Sequence, residues 1–373
     1  MTIKQNREPA FDALRVYLLF LGFIFHSLLS YINTPIYDLW PYKDKDHLIL
    51  FDGIAALIHS FRMPAFFFIS GYFADKMFHN QNSFKVFKKR IYRLGIPFII
   101  SMLIFFPIIN IGFSLSNGIN NIFSLDCIYP KLESNDSRLH TSYLWFLYYL
   151  IIFSLIHFNI IRLKITLFFK HTSVLLIIIS LIVILMLILF FHQQFELNGS
   201  YNFFPKLTSL LGFFLFYLSG IVFSRNNQFL TAIARSSILI SFTGVTIFSV
   251  YAYLVSKNPI YAINSNHINL KIQLLYSLLS VTLTLSTIGL FVRFYKKSFP
   301  WVKYFSDSSY FLYLIHLPII ILTVAFLSDF LFLPGIKFAI VLTVSISVSL
   351  ILNYIRIRII RLLKTHEKKI TEF

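Results

Sequence analysis

Residues 58–73 read IHSFRMPAFFFISGYF, an apolar run interrupted by one permanently charged side chain, Arg62. A guanidinium at the centre of a membrane helix costs roughly 2.5–3.5 kcal/mol on insertion scales, so it persists only where it faces a polar cavity or a partner. His26 and His316 interrupt two further apolar runs. Ionisable residues inside three apolar runs predict a buried polar site between membrane-spanning helices.

The composition is typical of an integral membrane protein. Of the 373 residues, 57% are hydrophobic and only 13% are charged, and the mean hydropathy is +0.74. A soluble globular domain is nearer half apolar and a quarter charged. Several runs approach the roughly 20 apolar residues that a spanning helix needs, and a helix satisfies its own backbone hydrogen bonds in lipid. We therefore predict an all-α, polytopic integral membrane protein.

The apolar runs predict about ten transmembrane helices joined by short loops. They lie near residues 12–32, 49–75, 95–115, 143–162, 173–191, 205–224, 234–255, 272–294, 308–328 and 335–355. The first run is too long for a signal peptide and no small-residue cleavage site follows it, so we expect it to remain as a helix. The polar loops near 33–48 and 116–141 are the best candidates for contact with an extracytoplasmic partner.

Basic residues are distributed unevenly between alternate loops. About 23 lie on the side of both termini and about 8 on the other side, which predicts that the N-terminus and the C-terminus are cytoplasmic. The same bias explains the net charge of +18. Because these residues flank helices, we expect the lipid bilayer as a partner and no nucleic acid. We divide the chain into a transmembrane domain at 1–355 and a basic cytoplasmic tail at 356–373.

Helical rise places four ionisable residues deep in the membrane. At about 1.5 Å per residue, His26 lies roughly 20 Å from the cytoplasmic start of its helix, and Arg62 lies roughly 18 Å from the external end of the next. His59 is one turn from Arg62 on the same helical face, and His316 falls near the middle of the ninth span. We predict that these four residues converge on one catalytic cavity.

An imidazole beside a guanidinium suits the transfer of an acyl group to an alcohol. A neutral imidazole accepts a proton from a hydroxyl near neutral pH, and a guanidinium stabilises an oxyanion or holds an anionic acyl group. The alternative for each histidine is a structural hydrogen bond between helices, and for His59 it is to orient Arg62.

Motifs for other chemistry are missing from the sequence. There is no Gly-x-Ser-x-Gly elbow, no P-loop and no His-Glu-x-x-His, and the single cysteine, Cys127, excludes an internal disulfide. Hydrolase, nucleotide-binding and metal sites therefore have no motif behind them, and we expect no metal.

A second set of basic residues is predicted at the cytoplasmic face. Arg90 and Arg93 precede the third span and share a helical face, which suits them to bind the phosphates of a donor substrate. The alternative is that they only anchor the helix on the cytoplasmic side. Asp12 and Arg15, one turn apart in the first helix, either pair with each other or contribute to the same donor entrance.

Six motifs along nearly the whole chain carry a family resemblance. They are FDALR at 11–15 with His26, FRMP at 61–64, SGYF at 70–73, RIYRLGIP at 90–97, LWFL at 144–147 and SYFLYLIHLP at 309–318. In this order they resemble the acyltransferase-3 family of bacterial membrane acyltransferases. The predicted number of helices agrees with that family as well.

The resemblance implies acyl transfer from a cytoplasmic acyl-CoA to a carbohydrate hydroxyl on the far side of the bacterial inner membrane. In the family's pattern, His26 corresponds to the essential histidine of the first helix and Arg62 to the arginine of the second. Arg90 and Arg93 correspond to its paired donor-side residues, and we expect Arg15 to join them in binding acyl-CoA.

The resemblance also indicates the acceptor. Residues 59–73 are most similar to family members that modify periplasmic glucans, so a periplasmic or cell-surface glucan is the expected acceptor. Those members carry His-His-Pro where this chain has His316-Leu317-Pro318. That departure leaves the role of His316 open, and with it the choice between a succinyl and an acetyl group.

Three alternatives stand beside this interpretation. An acetyltransferase for another surface polysaccharide would differ only in donor and acceptor. A transporter or flippase for an anionic glycoconjugate would also bury histidine and arginine, but transporters carry broken helices in two repeated halves, and this sequence has no such symmetry. A purely structural membrane component would not need His26 and Arg62 at depth.

Overall fold

The structure, a computed structural model, describes residues 8–34, 40–119, 124–130, 140–163, 172–257 and 270–371, and its regular elements there are helices joined by loops. The helices are α1 Pro9–Leu28, α2 Ile49–Asn80, α3 Ser83–Ser116, α4 Leu125–Ile128, α5 Trp145–Arg162, α6 Val174–Phe191, α7 Leu207–Arg225, α8 Asn227–Lys257, α9 Leu270–Phe294, α10 Pro300–Leu327 and α11 Pro334–Thr371. Within these residues, ten helices are long and apolar enough to cross a membrane. The predicted all-α membrane fold is therefore confirmed.

Several helices are longer than their apolar runs. α3 begins at Ser83 rather than near 95, because the Asn82 side chain caps it by accepting from the Lys85 backbone N–H at 3.1 Å. α10 begins at Pro300, a residue suited to the first turn of a helix. Charged residues are good helix formers, so a helix continues beyond the apolar stretch that marks it in the sequence.

The last helix crosses the predicted start of the basic tail. α11 continues to Thr371 with no break at residue 356. The division into a domain at 1–355 and a tail stays a prediction, as does the cytoplasmic placement of both termini. If that placement is right, the tail extends α11 as a helix and is not a separate segment.

The helices divide into an inner group and an outer group. More than half of the most apolar stretch is buried in α1, α2, α7, α9 and α10, whereas less than a third of it is buried in α3, α6, α8 and α11. Large apolar side chains such as Leu103 of α3 and Phe242 of α8 are 65% and 70% exposed. This pattern is expected of helices whose outer faces contact lipid.

Two glycines bring α2 and α7 into backbone contact. A Cβ atom on Gly71 would lie 2.0 Å from the carbonyl oxygen of Tyr217, and one on Gly220 would lie 2.1 Å from that of Phe68. Neither position has room for any side chain. Small residues at a crossing allow close packing between membrane helices, which gives the glycine of the SGYF motif a structural reason.

Candidate active site

The structure brings together the four ionisable residues predicted to converge. His26 lies in the last turn of α1, and its ring centre is 5.3 Å from that of His316 on α10. Phe25 links these to α2, since its ring centre is 4.6 Å from the Arg62 guanidinium carbon and 5.9 Å from the His59 ring. The consecutive helices α1 and α2 therefore meet the distant α10 at one polar cluster. The catalytic roles of its members stay predictions.

Gly22 gives Arg62 its space against α1. A Cβ atom on Gly22 would lie 3.3 Å from Nη1 of Arg62, and Gly22 is one helical turn before His26. The guanidinium therefore packs against the same face of α1 that carries the histidine. A larger residue at this position would require the Arg62 side chain to shift by a few tenths of an ångström.

Arg62 is a buried cation with unsatisfied donors. The residue is 7% exposed, and its Nε and Nη1 atoms have no hydrogen-bond partner in the described part of the chain. A buried charged group without a counter-ion is strongly destabilising, and buried donors are normally paired. Such a side chain is prepared to bind an acceptor: an oxyanion, a carbonyl or a carboxylate.

The histidines retain free ring nitrogens. Nδ1 of His316 lies 2.6 Å from the carbonyl oxygen of Tyr313. Since a carbonyl oxygen only accepts, Nδ1 must carry the proton and donate it. Nε2 of the neutral ring is then the acceptor. Nδ1 of His26 and Nε2 of His59 are buried without a partner among the described residues. The alternative for these histidines was a structural hydrogen bond between helices. Within the described residues, no such bond forms at Nδ1 of His26 or at Nε2 of His59.

Two tyrosines hold α10 next to His316. Pro318 has no N–H, so the carbonyl four residues earlier, that of Leu314, loses its helical partner. The hydroxyl of Tyr143 donates to that carbonyl at 3.3 Å, and the hydroxyl of Tyr313 donates in return to the carbonyl of Tyr143 at 3.0 Å. This reciprocal pair fixes the start of α5 against the proline-interrupted turn that carries His316.

The segment between α6 and α7 covers another side of the cluster. The carbonyl of Tyr201 accepts from the Thr141 hydroxyl at 2.8 Å, and the hydroxyl of Tyr148 donates to the carbonyl of Phe203 at 2.7 Å. Burial raises the pKa of the Tyr201 phenol, as does the neighbouring phenol of Tyr149, while the Arg62 guanidinium opposes the rise. Tyr201 therefore stays a neutral hydroxyl close to Arg62.

The predicted donor-side arginines have separate environments. Arg90 is partly buried and donates from Nε to the Ser154 hydroxyl at 3.1 Å, whereas Arg93 is exposed. Arg15 contacts Asp12 and Ser306, at 3.3 and 3.1 Å. Of the two alternatives for Asp12 and Arg15, mutual pairing is thus observed. Binding of a donor by Arg15, Arg90 and Arg93 stays a prediction.

A buried carboxylate that sequence reasoning overlooked connects α2, α5 and α7. Asp75 is 1% exposed and accepts from Nη2 of Arg225 at 2.7 Å and from its Nε at 3.1 Å. The Ser224 hydroxyl also donates to it, and Nε2 of His157 lies 3.4 Å away. His157 in turn contacts the Tyr217 hydroxyl at 3.1 Å. An acidic residue in the last turns of an apolar helix is rare enough to have been noticed.

Replacing Asp75 with asparagine is expected to lower the free energy of unfolding by about 2 kcal/mol or more, because the partly buried Arg225 loses its counter-ion. Thermal unfolding in detergent would measure the change. Asp46→Asn provides a matched control, since Asp46 is exposed. Equal melting temperatures for the two variants would contradict a stabilising role of the Asp75 network.

Comparisons with known proteins identify the family of this chain. A family model described as an acyltransferase domain matches residues 8–354. The chain is also 38% identical over 101 residues to proteins named glucans biosynthesis protein C from Escherichia coli strains K12, O1:K1 / APEC and O139:H28. Those alignments cover 26% of this chain and only 24% of the relatives' length. No solved structure matches. Because the family model covers nearly the whole chain, the protein belongs to the acyltransferase-3 family of membrane acyltransferases.

Proposed function

We propose that the protein is a membrane O-acyltransferase of the bacterial inner membrane. It moves a succinyl or acetyl group from cytoplasmic acyl-CoA to a hydroxyl of a periplasmic or cell-surface glucan. One observation carries the proposal: the buried Arg62 has donors without protein partners in the same cluster as the paired rings of His26 and His316. The glucan acceptor is supported by the name of the E. coli relatives.

The cluster provides a base and an oxyanion site for one displacement at a thioester. His26 takes the proton of the acceptor hydroxyl as the hydroxyl oxygen bonds to the acyl carbon. Arg62 donates to the carbonyl oxygen as it becomes negative, in a site from which water is largely excluded. The carbon–sulfur bond then breaks, and the departing CoA sulfur takes the proton from His26. An ester and a thiol replace the alcohol and the thioester.

The other site residues have supporting roles in this proposal. His316 presents Nε2 as an acceptor because its Nδ1 proton is bound to the Tyr313 carbonyl, so it relays or steadies the proton held by His26. His59 keeps Arg62 in place from the same face of α2. A succinyl donor would carry one free carboxylate, and the unpaired Arg62 donor that is not used by the carbonyl oxygen would bind it.

Donor binding is assigned to the arginines at the predicted cytoplasmic end. Within the part of the chain that the structure describes, Arg90 makes one neutral hydrogen bond, from Nε to Ser154, which leaves its other N–H groups to bind a phosphate. Arg93 is exposed on the same helix. Arg15 is paired with Asp12. In this proposal, Arg15 binds the CoA moiety only when a phosphate replaces the Asp12 carboxylate as its partner.

Replacing His26 with alanine is expected to lower acyl transfer by at least about 100-fold, because the general base is lost. The assay uses purified protein in lipid vesicles, a glucan extract, and radiolabelled succinyl-CoA or acetyl-CoA. His192→Ala is the matched control and should retain the parent activity. His192 directly follows the last residue of α6.

Three outcomes would contradict the proposed function. Folded parent protein that labels no glucan from either donor would exclude this reaction. Full activity of His26→Ala would remove the base from the mechanism. Movement of glucan across the vesicle membrane without consumption of acyl-CoA would favour a transporter. The preferred donor identifies the acyl group.

A further inference from the structure

Residues 40–48 fold against the end of the first span, and we call them the capping segment. The backbone N–H of Asp44 donates to the carbonyl of Ser30 at 2.8 Å, and that of Leu48 donates to the carbonyl of Tyr31 at 3.0 Å. Carbonyls at the end of a helix have no partner within it. The capping segment therefore satisfies the end of the helix that carries His26.

A buried ion pair fixes the capping segment to the start of α11. Nζ of Lys337 lies 2.7 Å from Oδ2 of Asp44, and the two side chains are 4% and 2% exposed. The Tyr42 hydroxyl donates to the same carboxylate at 3.2 Å. Burial raises the pKa of the Tyr42 phenol, and the Asp44 carboxylate adds to the rise, so Tyr42 remains a donor. A buried pair with this many partners specifies one position of the segment.

Trp40 is the residue of the capping segment that contacts the active site. Its ring lies 6.0 Å from that of His26 with an angle of 16° between the planes. Nε1 donates to the Ser30 hydroxyl at 2.8 Å, and the edge of Phe113 packs against the ring at 5.2 Å. Trp40 is only 6% exposed, so it is packed as part of the protein and does not offer a free face to a sugar.

His26 lacks the usual means of orientation. A functional imidazole is normally held by a hydrogen bond at the nitrogen that does not react, as His316 is held by the Tyr313 carbonyl. Nδ1 of His26 is buried without such a partner in the described residues. The second torsion of a histidine side chain is broad, so contact with flat neighbours is left to define the ring plane. The rings of Phe25 and His316 cross the His26 plane at 81° and 53°, whereas Trp40 lies nearly parallel to it.

We propose that Trp40 is a positioning residue that fixes the plane of the His26 ring, and that the Asp44–Lys337 pair holds Trp40 in place. The inference rests on the proposed function, in which His26 is the base. The charged or titratable groups near His26 are Arg62 and His59 of α2 and His316 of α10, and none of them supplies the missing partner of Nδ1. A misplaced base slows the chemical step more than it weakens donor binding.

The test compares Trp40→Leu with Trp40→Phe. Both variants lose the bond to Ser30 and retain an apolar side chain, but only phenylalanine keeps a flat face for His26. We expect kcat of Trp40→Leu to fall between about 10-fold and 100-fold below that of Trp40→Phe, with the KM for acyl-CoA within about twofold. The pH profile of kcat should also change in Trp40→Leu alone, since the environment of the base changes.

A second comparison tests the Asp44–Lys337 ion pair and distinguishes its loss from misfolding of the variant. Lys337→Met leaves the Asp44 carboxylate buried without its counter-ion, whereas the double variant with Asp44→Asn removes both charges. We expect kcat to fall in the single variant and to recover at least in part in the double variant. Each variant is first checked for a monodisperse, cooperatively unfolding sample.

Each result supports or overturns the inference. Equal kcat values and equal pH profiles for Trp40→Leu and Trp40→Phe, in active folded protein, would overturn the positioning role of Trp40. Unchanged kcat in Lys337→Met would overturn the role of the ion pair. Inactivity of the parent with both donors is a different result, because it refutes the proposed function itself.

Discussion

Replacing Arg62 with methionine is expected to lower acyl transfer by at least about 100-fold without lowering the melting temperature. The loss follows from the position of the guanidinium, whose free Nε and Nη1 are the only cationic donors that the proposal places on the acyl group. Removing one preorganised donor from an oxyanion site costs on the order of 100-fold to 1000-fold in rate. The assay is the labelling of glucan described above.

The Arg62→Met substitution should leave the melting temperature unchanged or raise it, although it lowers activity. Arg62 is 7% exposed, and no ion pair involves it within the described residues, so the folded state bears the cost of a desolvated charge. Exchanging a buried charged group for an apolar side chain of similar length is often neutral or stabilising. We therefore expect the melting temperature of Arg62→Met in detergent to equal or exceed that of the parent.

Two controls separate the site from general effects of losing an arginine. Arg358→Met removes an exposed arginine of α11 that contacts the hydroxyl and the ring of Tyr354, and should leave activity unchanged. Arg62→Lys keeps the charge but not the planar fork, and should restore only a small part of the rate. A strongly destabilised but active Arg62→Met variant would contradict both parts of the expectation.

Replacing Gly71 with alanine should be the most destabilising substitution considered for this chain. Its Cβ would lie 2.0 Å from the carbonyl oxygen and 2.9 Å from the carbonyl carbon of Tyr217. These are backbone atoms, so no side chain can rotate away and α7 itself must shift. Overpacking costs about 1–3 kcal/mol in well-packed cores, and we expect the upper end of that range or more, measured by thermal unfolding in detergent.

Gly53 provides the matched control on the same helix. A Cβ atom there meets nothing within 4 Å, and alanine is favoured over glycine in a helix by about 1 kcal/mol. Gly53→Ala should therefore be neutral or slightly stabilising. If Gly71→Ala and Gly53→Ala unfolded at the same temperature, the close crossing of α2 and α7 would be refuted.

The fold could be predicted from the sequence because the membrane imposes a simple requirement. A span needs about 20 apolar residues, and ten helices within the described ranges are long and apolar enough to cross a membrane. Helix ends were less predictable. The early starts of α3 and α10 depend on Asn82 as a cap and Pro300 in a first turn, features that an apolar count does not register.

The polar cluster was predictable only in outline. Arg62 and His26 were recognisable because ionisable residues in apolar runs are rare. The rise per residue of a helix also predicted similar depths in the membrane for the two side chains. Trp40 and Tyr143 were not recognisable, since each reaches the cluster from a loop or helix start and contacts a residue far along the chain. No periodic pattern encodes such contacts, which depend on how helices pack.

The ion pair between Asp75 and Arg225 has a consequence for biosynthesis. The two residues are 150 positions apart, and ribosomes add roughly 5–20 residues per second. Asp75 therefore emerges roughly 8–30 s before its counter-ion exists. During that interval the nascent chain carries an unmatched carboxyl near the end of α2, which water, a proton or the insertion machinery must accommodate. Translation rate in this stretch, and not only the final fold, thus bears on how much protein matures.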